Sequence, residues 1–146
     1  MKDKFTAVHT AKDIILTSLT LLVGVAMGIF GQAGMAVLGY TIILCGIFML
    51  IFYKTGHKCA DDNKLYHKLT LYYGLDEFDP LSKMISSDKI TKAILPKDKQ
   101  CQLMLEIYYN QTTSIFQLFK YVPNTYEVAV DAVKHSAEEA KLFLKK

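Results

Sequence analysis

The distribution of charged residues divides this chain into a long apolar stretch and a polar region. From Ile14 to Tyr53, forty residues follow one another without a single Asp, Glu, Lys or Arg. Two parts of this stretch, residues 14–30 and 35–53, are each long enough to cross a bilayer as one α-helix. Between them stands Gly-Gln-Ala-Gly, which suits a tight turn. Residues 1–53 are therefore predicted to form a short cytoplasmic leader and two transmembrane helices.

The alternative for the first span is a cleaved signal peptide. Three lysines precede the apolar run, and Gly31-Gln32-Ala33 is a passable cleavage site. However, the run is long for a signal core, and Asp3 and Asp13 dilute the basic region, so a retained span is favoured. Lysines flank the outer ends of both spans and are absent from the turn. The positive-inside rule therefore predicts that both termini are cytoplasmic and that the protein lies in the inner (plasma) membrane, with the lipid bilayer as its first partner.

Small residues recur at helical spacing within the two spans. Gly24 and Gly28 form a GxxxG motif, and Gly39 and Gly46 share one face of the second span. Such residues let helix backbones approach closely in lipid. They either pack the hairpin against itself or pack one chain against another, and the second interpretation predicts a homo-oligomer.

Residues 54–146 are predicted to form one small cytoplasmic domain that is mostly α-helical. Capping residues and apolar periodicity indicate helices at about 61–73, 80–85, 88–95, 99–121 and 125–144. One segment is ambiguous, because alternating apolar residues and the Asn-Gln-Thr-Thr run also fit a β-hairpin at 101–122. Helix propensity favours the helix there. The predicted fold class is thus mostly α, an N-terminal transmembrane hairpin followed by a small helical domain.

Composition excludes several classes of function. Residues 54–146 hold fourteen Lys against twelve Asp plus Glu, a net charge of 14 − 12 = +2, which argues against binding duplex DNA. The three cysteines are odd in number and one lies in a span, so no disulfide framework is expected. No phosphate-binding loop, nucleophile elbow or HExxH motif is present, and the chain is predicted not to be an enzyme and to need no cofactor.

A metal site is not predicted either. His57, Cys59 and His67 are close in sequence, and Asp61 or Asp62 would complete the set. Zinc sites usually have four ligands at recognisable spacing, and this set offers only three good ones. Polar residues on a surface near the membrane are the favoured interpretation.

One basic segment is the candidate for ligand binding. Lysines at 83, 89, 92, 97 and 99 stand against only Asp88 and Asp98, and a Tyr-Tyr-Asn-Gln run follows soon after. Lysines can hold phosphates, tyrosine can stack on a base, and Asn can pair with an adenine edge. The alternative is that the lysines are merely solvated and the aromatics fill the core. The predicted ligand-binding residues are Lys92, Lys97, Lys99, Tyr108 and Asn110.

This layout of leader, two-span hairpin and small Lys- and Tyr-containing domain resembles the small membrane effectors of type III CRISPR systems that sense cyclic tetra-adenylate. The resemblance implies a homo-oligomer, a tetramer, in which a cyclic oligoadenylate binds the cytoplasmic domains and disturbs the spans as an antiviral defence. The alternative is a membrane-anchored protein-interaction subunit, for immunity or scaffolding, without a ligand. A phage-type hole-forming protein is a third class, although ninety-three residues after the spans exceed what lysis requires.

Overall fold

The computed structural model describes residues 4–96 and 101–144. In chain order, these residues form β1 (Phe5–Val8), α1 (Ala11–Phe30), α2 (Ala33–Phe52), β2 (Gly56–Cys59), β3 (Leu65–Tyr73), a 3-10 turn (Leu75–Glu77), α3 (Phe78–Ile85), β4 (Leu103–Tyr109), β5 (Thr113–Val122), β6 (Thr125–Ser136) and α4 (Ala137–Leu144). The strands form one sheet in the order β1-β2-β3-β4-β5-β6, and β3 to β6 pair antiparallel. The chain divides into two compact units, residues 6–58 and the described residues of 1–5 and 59–146.

The unit of residues 6–58 contains the helical hairpin, and its two ends are tied to one acidic side chain. The backbone N–H of Asp13 donates to Thr10 Oγ1, and the Thr10 N–H donates to the Asp13 carboxylate at 2.9 Å, a capping box that starts α1. Beyond α2, the N–H and hydroxyl of Thr55 donate to the same carboxylate at 2.9 and 2.7 Å. Asp13 thus holds the two ends of the hairpin together, which accounts for a carboxylate at the edge of the apolar stretch.

The glycines in the spans pack the hairpin against itself. A Cβ atom on Gly39 would lie 2.5 Å from the backbone N of Gly28 and 2.7 Å from the carbonyl O of Gly24. A Cβ on Gly46 would lie 2.6 Å from the side chain of Leu21. The GxxxG motif is thus filled by the second helix of the same chain, which supports the self-packing interpretation of these glycines.

The outer surface of the hairpin is apolar and uncovered. Phe30, Ile29 and Phe52 are 87%, 69% and 72% exposed, and similar side chains continue along both helices. An exposed apolar surface of this extent is not stable in water. Both helices have twenty residues and are long and apolar enough to cross a membrane. Length and composition thus indicate a membrane location and agree with the predicted spans at 14–30 and 35–53.

The prediction of a mostly helical domain is wrong, because the second unit is built on an antiparallel sheet. Residues 65–73, predicted as a helix, are β3, and the helix predicted at 125–144 is divided into β6 and α4. The segment 101–122 forms the β4–β5 hairpin, which was the alternative, and not a helix. Residues 88–95 are irregular, whereas the helix predicted at 80–85 is present as α3.

One face of this sheet carries the main core. Its strands contribute Leu105, Ile107, Phe116 and Leu118, each fully buried, and its other members are supplied largely by α3 and α4. These are the side chains Leu81, Ile85, Ala140 and Phe143. Because β-strand side chains alternate between faces, this core uses every second residue of β4 and β5.

The opposite face of the sheet is also buried. Phe5 stacks on Tyr108 with ring centroids 3.9 Å apart and meets Tyr66 edge-on at 5.5 Å. Glu106 is 1% exposed on this face, where Lys68 donates to it. Its register partner Gln117 is 3% exposed. Polar and aromatic groups are therefore enclosed on the second face, which an isolated flat sheet would leave to solvent.

Two irregularities in β6 bend this sheet. Register passes from Phe116–Val133 to Leu118–Val130, so Gln117 stands opposite two residues, and a second shift follows at once. Such bulges kink a strand and increase its twist. They provide the curvature that encloses the second face.

A buried histidine joins α3, β6 and α4. His135 Nε2 lies 2.9 Å from the carbonyl O of Ile85, which can only accept, so Nε2 carries a proton. Its Nδ1 lies 2.6 Å from a carboxylate oxygen of Glu139, one turn along, and both side chains are largely buried. The two side chains thus form a close buried contact between the end of β6 and the first turn of α4.

Candidate ligand groove

One concave region of the sheet unit is a groove of about 790 Å³. It is formed where β3 begins, where β4 turns into β5, and along α4. Its lining consists of Lys64, Leu65, His67, residues 109–112, Ala137, Lys141 and Leu144. The volume falls within the usual range of small-molecule sites, about 300–1,000 Å³. We call this region the groove.

The turn that forms one wall is held by a single side chain. Asn110 Oδ1 accepts from the backbone N–H of Thr112 and of Thr113 at 2.9 and 2.8 Å, and from both of their hydroxyls. The Asn110 N–H in turn donates to the carbonyl of Thr113 at 2.9 Å. These hydrogen bonds preorganise the wall. They occupy the side-chain oxygen of Asn110 and leave its amide nitrogen to meet a ligand. The side chain of the adjacent Gln111 is exposed.

The groove is basic. Lys64 and Lys141 lie in its lining together with His67, and no acidic side chain is among the lining residues that the structure describes. Lys141 also pairs with Glu138, an exposed contact of little energetic value that leaves the ammonium able to meet an anion. Lys64 forms no ion pair within residues 4–96 and 101–144. The electrostatic preference of the groove is therefore for an anion.

A pair of neighbouring aromatic rings lies in the same groove. His67 and Tyr109 are register partners on β3 and β4, and their ring centroids are 5.8 Å apart at 38°. Planar groups such as nucleobases stack on side chains of this kind. Cations, an aromatic surface and amide groups thus converge in one concave region.

Of the three predicted ligand residues that the structure describes, one lies in this groove, Asn110. Tyr108 points to the opposite face, where it is 2% exposed, stacks on Phe5 and donates to Glu106 at 3.4 Å. Burial raises the pKa of its phenol, and the negative charge of Glu106 adds to that shift. Lys92 is exposed in an irregular segment outside the groove lining. Lys97 and Lys99 lie outside the described residues.

The residues that sequence reasoning missed are Lys64, His67, Tyr109 and Lys141. The signal that would have found them is strand pairing, since recognising 65–73 as a strand brings His67 beside Tyr109. Lys141 required the boundary between β6 and α4. With the chain assigned to helices, neither relation was visible.

No metal centre is visible in the part of the chain that the structure describes. Within residues 4–96 and 101–144, no three His, Cys, Asp or Glu side chains are grouped to hold an ion. Cys45, Cys59 and Cys101 are free thiols.

No known protein family, curated protein or solved structure matches this chain.

Proposed function

We propose that this protein is a membrane-anchored sensor that binds a cyclic oligoadenylate in the groove and responds by perturbing its transmembrane hairpin, as an antiviral defence effector without enzymatic activity. One observation carries the proposal, namely that two lysines, a His–Tyr ring pair and free amide groups line one concave region that holds no acidic residue among those described. A nucleotide supplies the complement of each group: phosphate, base face and base edge.

Each group in the groove has a distinct role in the proposed complex. Lys64 and Lys141 bind phosphate oxygens, because an ammonium acts as a point charge on phosphate. The base stacks against His67 and Tyr109, as bases do on aromatic side chains. Gln111, together with the amide nitrogen of Asn110, meets the base edge, where an amide can pair with adenine.

The size of the groove supports an oligomer. A volume of about 790 Å³ accommodates part of a cyclic tetra-adenylate and not the entire ring. Several copies of the chain around one ring would each supply a groove, and a tetramer matches the fourfold repeat of the ligand. The lysines that flank the spans support an inner-membrane location with both termini cytoplasmic, where such a ligand would be met.

The segment that connects the hairpin to the groove is short. Phe52, the last residue of α2, precedes Lys64 of the groove by only twelve positions. For a switch to work, the ligand must bind one arrangement of the hairpin more tightly than the other. To shift the populations of the two hairpin arrangements from 1:99 to 99:1, the ligand must bind one arrangement about 10⁴-fold more tightly than the other. Several grooves acting on one ring could share this preference.

Binding to the full chain in detergent tests this proposal. Isothermal titration with cyclic tetra-adenylate is expected to give saturable binding. Lys64→Gln and Lys141→Gln each remove a charge-assisted contact worth about 1.5–3 kcal/mol, so each should weaken binding about 10- to 100-fold. Lys120→Gln is the matched control, because Lys120 is exposed on β5 and outside the groove lining. No heat of binding, or equal affinity in all four proteins, rejects the proposal.

A second candidate function is that of a membrane-anchored interaction subunit. A group of apolar side chains is exposed on β3, β5 and β6, with Tyr72, Tyr121 and Val128 42%, 50% and 49% exposed. Tyr121 also meets Tyr126 edge-on at 5.4 Å. Exposed tyrosines are common at protein interfaces. If this function holds, Tyr121→Ser should abolish co-purification of a defined partner from native membranes, and cyclic tetra-adenylate should not bind.

A further inference from the structure

The sheet unit contains a second cavity that shares no residue with the groove. It measures about 290 Å³ and lies on the enclosed face of the sheet, away from the main core. We call it the inner pocket. Its lining includes Phe5, Cys59, Ile115, Gln117, Asp131 and Lys134.

The inner pocket contains a buried polar group without a partner. Gln117 is 3% exposed, and its Oε1 accepts no hydrogen bond from any residue that the structure describes. Its cross-strand neighbour Glu106 accepts hydrogen bonds from Lys68 and Tyr108 and makes none with Gln117. An unsatisfied buried amide is costly. Gln117 lines the cavity but its Oε1 is enclosed, so the side chain must turn to present its oxygen or its nitrogen to a ligand.

The mouth of the inner pocket carries one free charge of each sign. Asp131 and Lys134 line it from β6, and neither forms an ion pair within residues 4–96 and 101–144. The bulge sets Asp131 and Ala132 opposite Gln117, so these residues of β6 and Gln117 of β5 line the same cavity. The other two charged residues in the lining, Lys4 and Asp61, pair with each other at 2.9 Å, so their charges sum to zero. The remaining charges are thus complementary to a zwitterion.

Size and wall chemistry narrow the class of ligand further. At about 290 Å³ the inner pocket lies at the lower end of the usual range for small-molecule sites, about 300–1,000 Å³, which favours a small ligand. The side chains of Phe5 and Ile115 make its walls apolar, so a short aliphatic chain fits between the charged mouth and the Gln117 amide. These features together describe a molecule with an ammonium, a carboxylate and a polar end.

We propose that the inner pocket binds a free polar α-amino acid, with its ammonium on Asp131, its carboxylate on Lys134 and a side-chain amide or hydroxyl on Gln117. L-Glutamine and L-asparagine match Gln117 best, because two carboxamide groups can each donate one hydrogen bond to the other and accept one from it. This site does not depend on the groove or on its nucleotide.

The test uses the full chain in detergent, titrated with L-glutamine, L-asparagine, L-serine and, as the apolar counterpart, L-leucine. Saturable binding is expected, with L-glutamine favoured over L-leucine about tenfold or more, the worth of a buried hydrogen bond. Gln117→Leu should abolish that preference, and it should fold, since it removes an unsatisfied group. Asp131→Asn and Lys134→Gln should weaken binding of every amino acid about tenfold.

Two kinds of control make the outcome decisive. Glu127→Gln and Lys120→Gln change exposed charges on β6 and β5 outside the inner pocket and should leave amino-acid binding unchanged. Lys64→Gln, in the groove, should also leave it unchanged, which separates this proposal from the nucleotide proposal. Absence of saturable binding, or binding that Gln117→Leu, Asp131→Asn and Lys134→Gln do not alter, overturns the inner pocket as an amino-acid site.

Discussion

Replacing Gly39 with alanine should separate α1 from α2. The added Cβ would lie 2.5 Å from the backbone N of Gly28, and ordinary contact begins at 3.4 Å, so the helices must part by 3.4 − 2.5 = 0.9 Å. Overpacking costs about 1–3 kcal/mol, and the upper end applies because both opposing atoms are backbone. The helix propensity of alanine offsets about 1 kcal/mol of this cost. We therefore expect Gly39→Ala to destabilise the hairpin by about 2 kcal/mol.

Gly34→Ala is the matched control in the same helix. A Cβ on Gly34 meets nothing within 4 Å, so only the propensity gain remains, and the hairpin should be stabilised by up to about 1 kcal/mol. The assay is SDS-driven unfolding in mixed micelles, followed by energy transfer between dyes at residues 11 and 53 in a cysteine-free background. If the two variants unfold alike, or Gly39→Ala alters only the subunit count, the self-packing of these glycines is refuted.

Two further predictions concern the sheet unit. Glu139→Ala leaves the buried Nδ1 of His135 without its carboxylate contact and should lower the free energy of unfolding by about 1–3 kcal/mol. Glu138→Ala, one residue away and exposed, should change it by no more than about 0.5 kcal/mol, and equal losses in the two variants would contradict the buried contact. Burial raises the pKa of Tyr73 and Tyr108 above the ordinary value of 10.0, so the stability that their neutral phenols contribute is complete below about pH 10 and is lost as pH rises through the native pKa values. Absorbance titration should show these two phenols ionising only with alkaline unfolding, and their ionisation in the folded protein at pH 10 would contradict it.

The hairpin could be predicted from sequence because its cause is local. Forty uncharged residues allow few other structures, and the observed helices, Ala11–Phe30 and Ala33–Phe52, overlap the predicted spans within three residues at each end. The tie between Asp13 and Thr55 could not be predicted, since it joins residues forty-two positions apart. Such a contact depends on tertiary structure and leaves no periodic signal.

The sheet was missed for two physical reasons. Residues 103–108 of β4 are buried on both faces, so the alternation that identifies a strand is hidden. In β6, the bulge opposite Gln117 puts the inward residues Val130 and Val133 three positions apart, which imitates the spacing of a helix. A strand with bulges thus produced the apolar stripe that predicted one helix over 125–144.

The candidate site was only partly within reach of the sequence. Asn110 was predicted from its amide, which can pair with an adenine edge, and it lies in the turn that forms a wall of the groove. Tyr108 was predicted as a base-stacking residue, but adjacent strand residues point to opposite faces, so Tyr109 lines the groove and Tyr108 does not. The basic segment at 83–99 attracted the prediction by charge alone, while the groove takes its lysines from positions 64 and 141.

Dye release from vesicles that contain the reconstituted full chain tests most directly whether ligand binding in the groove controls the hairpin. We expect cyclic tetra-adenylate to release the dye through the native protein and through Lys120→Gln, and not through the double variant Lys64→Gln, Lys141→Gln. Release that occurs equally with and without the nucleotide, or that persists undiminished in the double variant, would contradict the proposal, as would the absence of any release from native protein.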